Sequence, residues 1–180
     1  MAPIGIFFGS DTGNTERVAK MIQIKIGQHI AEVFDIANSS KEDLERFNVL
    51  LLGIPTWYYG EAQCDWDDFF PILEEINFAG KLVALFGCGD QGDYSDYFCD
   101  AMGIVRDIIQ SRSASIIGHW PTTGYKFEAS KAVIDEAHFI GLTIDEDRQP
   151  ELTQNRVDLW TKQICIEMNL EKILTHQILI

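Results

Sequence analysis

The sequence predicts an α/β protein in which helices cover both faces of a parallel sheet, giving a three-layer sandwich. Short apolar runs alternate along the chain with longer segments whose apolar residues recur at helical spacing. The apolar runs are nearly continuous, as in parallel strands that are buried on both faces. Five such runs with intervening helices imply right-handed crossovers. The length of 180 residues fits one domain spanning 1–180.

The predicted strands are short and rich in Val, Ile, Leu and Phe. In chain order they are Ile4–Phe8, Ala31–Ile36, Val49–Ile54, Leu82–Phe86 and Ser115–His119.

Four segments between and after these strands carry apolar residues every three or four positions, which indicates helices with one buried face. A shorter helix is predicted at Lys41–Phe47. The apolar faces are formed by Val18, Met21, Ile22 and Ile26; by Trp66, Phe69, Phe70 and Leu73; by Phe98, Met102, Val105, Ile108 and Ile109; and by Val157, Trp160, Ile164 and Met168.

The formal net charge of −14 argues against nucleic acid and anionic membranes as partners and favours a basic protein partner. No apolar run is long enough to span a bilayer, and we see no signal peptide, so we expect a cytoplasmic protein. The cysteines match neither zinc nor iron–sulfur spacing, and we expect reduced thiols and no metal site. They are Cys64, Cys88, Cys99 and Cys165.

A hydroxyl-rich loop follows the first predicted strand and leads into the first helix. Hydroxyl and amide side chains, a glycine and the open N–H groups of a helix N-terminus together predict a phosphate site without a cation. The triphosphate-binding pattern G-x-x-x-x-G-K-[ST] is absent, so the loop is suited to holding a phosphate rather than transferring one. An ordinary turn with a helix cap is the alternative. The loop consists of Ser10, Asp11, Thr12, Gly13, Asn14 and Thr15.

Two further loops leave the carboxyl ends of predicted strands, where open parallel sheets bind ligands. Each carries a large aromatic residue, Trp57 or Tyr94, among turn residues. Two such rings could enclose a flat ligand whose phosphate lies in the first loop; packing of each ring on the sheet edge is the alternative. The loops comprise Pro55, Thr56, Trp57, Tyr58, Tyr59 and Gly60, and Gly87 to Phe98 with Cys88, Gly89, Asp90, Tyr94 and Tyr97.

The motifs SDTGNT, PTWYYG and CGDQGDY, in this order, resemble those of flavodoxins. Together with GHWPTTGYKFEASKAV, they are similar to long-chain flavodoxins of the enterobacterial type, and the resemblance covers about residues 3–170. It implies the sheet order 2-1-3-4-5. It also implies an insertion at about 120–139 that interrupts the last strand and serves either as a docking surface or as a cover on the sheet edge.

The resemblance implies noncovalently bound flavin mononucleotide (FMN). Ser10, Thr12, Gly13, Asn14 and Thr15 would then bind the phosphate, whereas capping or solvation better explains Asp11. Trp57 and Tyr94 would stack on opposite faces of the ring, Asp90 and the backbone of 87–90 would bind its pyrimidine end, and Thr56 and Tyr59 would line the ribityl region. The expected cofactor-binding set is completed by Pro55, Tyr58, Gly60, Gly87, Cys88, Gly89 and Tyr97.

A protein of this family would be a low-potential one-electron carrier and not an enzyme with its own substrate. The resemblance implies a monomer that receives electrons from an NADPH-dependent flavodoxin reductase. Its acceptors would be enzymes such as cobalamin-dependent methionine synthase or radical-generating iron–sulfur enzymes. Docking would use an acidic face, because between Phe47 and Val105 the only basic residue is Lys81. The alternatives are an FMN-dependent NAD(P)H:quinone oxidoreductase and a non-redox receiver domain.

Two further features have more than one interpretation. The family resemblance implies a peptide that flips beside the flavin, here joining Tyr58 to Tyr59, and we expect positive φ to be costly there because neither residue is glycine. The apolar C-terminal tail at 171–180 either extends the last helix, packs on a neighbour or is a frayed end.

Overall fold

The computed structural model describes residues 3–171, and within them it has the expected three layers. From residue 172 onward, the predicted C-terminal tail lies outside the described residues. The strands are β1 (Ile4–Phe8), β2 (Ala31–Asp35), β3 (Val49–Gly53), β4 (Thr56–Trp57), β5 (Glu61–Ala62), β6 (Leu82–Cys88), β7 (Ser115–Ile117), β8 (Trp120–Pro121), β9 (His138–Phe139) and β10 (Leu142–Ile144). The α-helices are α1 (Asn14–Ile26), α2 (Lys41–Glu45), α3 (Cys64–Leu73), α4 (Asp100–Ser111) and α5 (Thr153–Glu167), and short 3₁₀ turns lie at Ile36–Asn38, Ser95–Tyr97 and Pro150–Leu152.

The main sheet is parallel, and its order β2-β1-β3-β6 continues to an edge position that two short strands share. β7 pairs with Leu82–Ala84 of β6, and β10 pairs with Phe86–Cys88. This confirms the order 2-1-3-4-5 and the interrupted last strand. The prediction of one strand at Ser115–His119 was wrong in extent, since its second half is β10. A three-residue strand has too little periodicity to stand out in a sequence.

Alternate residues of the central strands pack into two cores on opposite faces of the sheet. Phe7, Leu50 and Leu52 face a core that also contains residues of α3 and α4. Their neighbours Ile6 and Leu51 face a second core beneath α1 and α5. This two-residue alternation within continuous apolar runs explains why the runs show no polar face.

The segment between β7 and β10 packs against the start of α4. β8 and β9 form a small antiparallel ladder, and the rings of Tyr125, Phe127 and Phe139 lie 5.6, 5.7 and 5.9 Å from that of Phe98. The Tyr125 hydroxyl donates to the Thr143 carbonyl oxygen at 2.6 Å. Burial raises the pKa of Tyr125 to about 12. The segment therefore covers apolar surface just after the loop that follows β6.

Among residues 3–171, no helix combines the length and the apolar character that crossing a membrane requires.

Candidate functional site

A cleft of about 320 Å³ lies at the carboxyl ends of β1, β3, β6 and β10. It brings together all three loops that were singled out in the sequence and a fourth loop after β10. Within residues 3–171, its lining contains four carboxylates and no lysine or arginine. The lining residues are Ser10, Asp11, Thr12, Asn14, Thr15, Pro55, Thr56, Trp57, Tyr58, Cys88, Gly89, Asp90, Tyr94, Tyr97, Glu146 and Asp147.

The loop after β1 presents hydrogen-bond donors to the cleft. The first intrahelical bond of α1 runs from the Arg17 N–H to the Gly13 carbonyl oxygen at 2.9 Å, so the three preceding N–H groups have no intrahelical acceptor. No side chain caps this helix. The Ser10 Oγ accepts from the Gly13 N–H at 3.0 Å, which leaves the hydroxyl proton free to donate.

The loop after β3 is a tight hairpin formed by β4 and β5. The Gly60 N–H donates to the Trp57 carbonyl oxygen at 3.1 Å, and Tyr58 has φ 44°. The non-glycine residue at the expected flip position is therefore already in the left-handed region. Gly60 has φ 93°, and a Cβ there would lie 2.7 Å from Asp100 Oδ2. Both the conformation and the close approach require glycine at this position.

The start of α4 supports this hairpin. The Ala101 N–H donates to Thr56 Oγ1 at 3.0 Å. Asp100 is buried, where its carboxylate accepts from the Lys131 N–H at 2.7 Å and lies 3.5 Å from the Lys131 Nζ. Asp100 therefore links the hairpin to the segment between β7 and β10 and does not belong to an exposed acidic face.

Two different loops contribute aromatic rings to the cleft. Trp57 and Tyr94 both line it, and Tyr94 is 38% exposed. The Trp57 Nε1 is buried and has no hydrogen-bond partner among the described residues. Tyr59 is exposed and packs edge-on against Tyr97, with ring centroids 5.7 Å apart, so only Tyr97 of this pair reaches the cleft.

The loop after β6 is organised by the carboxylate of Asp90. Its Oδ1 accepts from the backbone N–H groups of Gly92 at 2.7 Å and Asp93 at 3.1 Å, and Arg148 donates to both of its oxygens. Burial acts to raise the pKa of the Asp90 carboxyl, but the hydrogen bonds from Arg148 and the two N–H groups lower it overall. The side chain expected to contact a ligand is thus occupied within the protein.

Glu146 and Asp147 line the cleft but were missed in the sequence. Glu146 pairs with Arg17 and with the Thr153 hydroxyl. Burial raises the pKa of the Asp147 carboxyl, and the nearby carboxylates of Asp90 and Asp145 raise it further. The signal that could have found them is the run of acidic residues at 145–147, directly after the apolar residues of β10.

Four residues expected at the site do not line the cleft. Gly13 is the N-cap of α1, and Gly60 closes the hairpin turn behind Tyr58. Tyr59 points away against Tyr97. Gly87 lies within β6, where it is paired with Thr143 of β10.

The thiols near the cleft are not activated. Burial raises the pKa of Cys88 to about 12 and that of Cys99 well above its usual range, so both are protonated at neutral pH. Cys64, Asp11 and Asp65 lie close enough together to share an ion. The Gln63 amide instead bridges the two carboxylates, donating to Asp11 Oδ1 at 3.0 Å and Asp65 Oδ2 at 2.5 Å.

Comparison with known proteins agrees with the geometry of the cleft. The family model described as "Flavodoxin" matches residues 6–160. The flavodoxin of Klebsiella pneumoniae is 71% identical over 96% of this chain and 98% of its own length, and flavodoxin 1 of Escherichia coli K12 is 71% identical over 97% and 99%.

A solved structure is also similar. The Fusobacterium nucleatum flavodoxin bound to flavin mononucleotide superposes with a TM-score of 0.87 at 34% identity, covering 93% of this chain and 99% of that one. The family match, the relatives across nearly the whole chain and the cleft at the carboxyl ends of the sheet lead to one conclusion: the chain belongs to the flavodoxin family.

Proposed function

We propose that this chain binds FMN noncovalently in the cleft and works as a low-potential one-electron carrier. Electrons would come from an NADPH-dependent flavodoxin reductase. They would pass to acceptors such as cobalamin-dependent methionine synthase or radical-generating iron–sulfur enzymes, in the cytoplasm and with the chain as a monomer. The observation that carries the proposal is a cleft that is lined by the uncharged donors of the loop after β1 and by an aromatic side chain from each of two other loops.

The donors suit a phosphate. The open N–H groups at the start of α1 and the Ser10 hydroxyl would bind its oxygens, aided by the positive end of the helix dipole. The Trp57 Nε1 is a buried donor with no acceptor in the described part of the chain, and an oxygen of the cofactor would satisfy it. Because no cation lines the cleft, the charge of a bound phosphate would remain largely uncompensated.

The rings suit a flat aromatic group. Trp57 and Tyr94 would stack on its two faces and exclude water, and the backbone of 88–90 would contact its polar edge. The Asp90 carboxylate would act indirectly by fixing this turn, because its oxygens already accept from Arg148, Gly92 and Asp93. Thr56 lines the cleft, and its hydroxyl accepts a hydrogen bond from the Ala101 N–H at the start of α4.

One-electron transfer is the chemistry that FMN supplies when bound. Charged residues around the cleft would shift the reduction potential of the bound FMN, because they favour or oppose the negative charge that reduction adds. A unit charge at ~10 Å and an effective dielectric of ~40 contributes about 0.8 kcal/mol, or roughly 35 mV for one electron. The carboxylates of Asp11 and Asp147 line the cleft and would lower the potential, whereas the charge of Glu146 is paired with Arg17.

The exposed carboxylates near the hairpin are suited to docking a basic partner. Glu61, Asp67 and Asp68 are exposed on β5 and the first half of α3. Burial raises the pKa of Asp67, and Glu61 and Asp68 add to the effect, which indicates a concentrated negative field. Such a field speeds weak encounters and is screened by salt.

The test is reductase-driven electron delivery to cytochrome c. We expect NADPH-dependent reduction of cytochrome c to require the FMN-loaded chain and to fall steeply as salt rises. The double variant Asp67→Asn/Asp68→Asn should lose several-fold in rate at low salt, whereas Asp107→Asn, which removes an exposed carboxylate on α4, should not. No chain-dependent reduction would contradict the proposal, and a flat salt profile would contradict docking by these acids.

A further inference from the structure

Two loops of the cleft are joined by the buried carboxylate of Asp145, directly after β10. Its Oδ2 accepts from the backbone N–H and the side-chain Nε2 of Gln91, at 3.0 and 2.8 Å. Its Oδ1 accepts from the N–H groups of Asp147 and Arg148, at 3.1 and 2.9 Å. This side chain therefore fixes the turn after β6 relative to the turn after β10, and it sets where the Arg148 side chain begins.

Arg148 makes a second link between the same loops, nearer the surface. Its Nε donates to Asp90 Oδ1 at 3.0 Å and its Nη2 donates to Asp90 Oδ2 at 3.1 Å. The same Nη2 lies 2.7 Å from Asp93 Oδ1. The fork of a guanidinium matches a carboxylate in this way, whereas a lysine ammonium cannot make both bonds in one plane.

The guanidinium also packs directly on the backbone of the turn. A Cβ at Gly92 would lie 2.7 Å from Arg148 Nε and 3.0 Å from its Cζ. A side chain at this position would force the guanidinium to shift from its contact with the turn. The glycine and the arginine are 56 positions apart in sequence and fit each other as one unit.

The contacts of Arg148 with Asp90, Asp93 and Gly92 lie next to residues that line the cleft. Asp90 and Tyr94 are on one side of it, and Asp147 precedes Arg148 on the other. Arg148 is therefore the cation that faces the carboxylates of Asp90 and Asp93 beside the proposed ring site. The other arginine near the cleft, Arg17, pairs with Glu146.

We propose that Arg148 is a positioning residue for the flavin ring: it holds the segment that carries Tyr94 in place and offsets negative charge at that end of the cleft. This inference rests on the proposed FMN function. Loss of the guanidinium would loosen the turn at Asp90 and leave its carboxylate with only the two backbone N–H donors. Binding of the ring would weaken, and the potential of the loaded protein would become more negative.

The test compares Arg148→Gln and Arg148→Lys with the wild type. Arg46→Gln is the matched control, because Arg46 also pairs with a carboxylate, that of Glu32, but Glu32 does not line the cleft, whereas Asp90 does. We expect Arg148→Gln to raise the dissociation constants of FMN and riboflavin about tenfold alike, since Arg148 holds the loop after β6 through Asp90 and makes no contact with the loop proposed to bind the phosphate. Arg148→Lys should lose affinity as well, yet keep the wild-type potential because the charge remains.

The readouts are flavin fluorescence titrations, potentials at low and high salt, and urea unfolding of the flavin-free chain. Equal flavin affinities for the wild type and Arg148→Gln would overturn the role of Arg148. So would affinity losses that Arg46→Gln reproduces. A wild-type chain that takes up no FMN would instead contradict the proposed function itself, so the two failures are distinguishable.

Discussion

The two ends of the cleft are built in different ways. At the end proposed to bind the phosphate, the donors come from residues 10–15, which span the loop after β1 and the first two residues of α1, and the helix N-terminus supplies their geometry. At the end proposed to bind the ring, loops are held by side chains that are distant in sequence, with Asp90 and Arg148 58 positions apart and Asp100 and Lys131 31 apart. Local structure is thus sufficient for one end, whereas the other depends on tertiary contacts.

The largest effect should come from a carboxylate at the phosphate end. Asn14→Asp would place a charge at the mouth of α1, and at ~5 Å from a dianion with an effective dielectric of ~40 it costs about 3 kcal/mol. We expect the dissociation constant of FMN to rise about 100-fold and that of riboflavin, which lacks the phosphate, to stay unchanged. Asn48→Asp is the control, because Asn48 is exposed directly before β3, at the amino end of that strand and away from the cleft. Equal losses for both flavins would contradict a phosphate role for this loop.

Removing one ring should affect both flavins. Trp57→Ala deletes an aromatic wall, and loss of stacking of ~1–3 kcal/mol would weaken binding of FMN and riboflavin by about 5- to 150-fold. Tyr59→Ala removes a ring that does not line the cleft and should change little. Fluorescence titration measures both variants. A larger loss in Tyr59→Ala than in Trp57→Ala would reverse the assignment of the stacking residue.

A smaller effect on flavin affinity is expected at Asp100, which supports the hairpin after β3 but does not line the cleft. Asp100→Asn weakens the bond to the Lys131 N–H, and we expect the free energy of unfolding of the flavin-free chain to fall by ~1–2 kcal/mol. Both flavins should bind a few-fold more weakly. Lys131→Met removes only the exposed ammonium and should cost less than ~0.5 kcal/mol. Equal unfolding free energies for Asp100→Asn and the wild type would show that this link is dispensable.

The smallest effect should come from Tyr58→Gly. The left-handed conformation costs a non-glycine residue ~1–2 kcal/mol, and glycine loses ~0.5–1 kcal/mol of chain entropy on folding, so we expect the free energy of unfolding in urea to rise by no more than ~1.5 kcal/mol. Gly60→Ala should instead destabilise, because its Cβ would meet Asp100. Destabilisation in both variants would mean that strain at Tyr58 is negligible.

The difference between the two ends also explains what the sequence could predict. The loop at 10–15 was recognisable because a strand, donor side chains and a helix start follow one another. The sheet order came with the family resemblance, and most of the expected lining residues do meet in the cleft. Glu146 and Asp147 escaped notice because β10 is three residues long and follows the insertion.

The pairing of Asp90 with Arg148 and the burial of Asp100 could likewise not be predicted from the sequence. Each depends on contacts between elements whose relative positions exist only in the folded chain. Asp100 looked like one more acid in an acidic interval, and the structure places it beneath the hairpin with Lys131 as its partner. Tyr58 was expected to resist positive φ, yet the hairpin turn holds it there.

The most direct test of the central claim is a titration of the purified, flavin-free chain with FMN, followed by flavin fluorescence. The account predicts uptake of one FMN per chain with strong quenching by the flanking rings, and loss of most of the affinity in the double variant Trp57→Ala/Tyr94→Ala. No uptake of FMN, or uptake with the same affinity in the double variant, would contradict it.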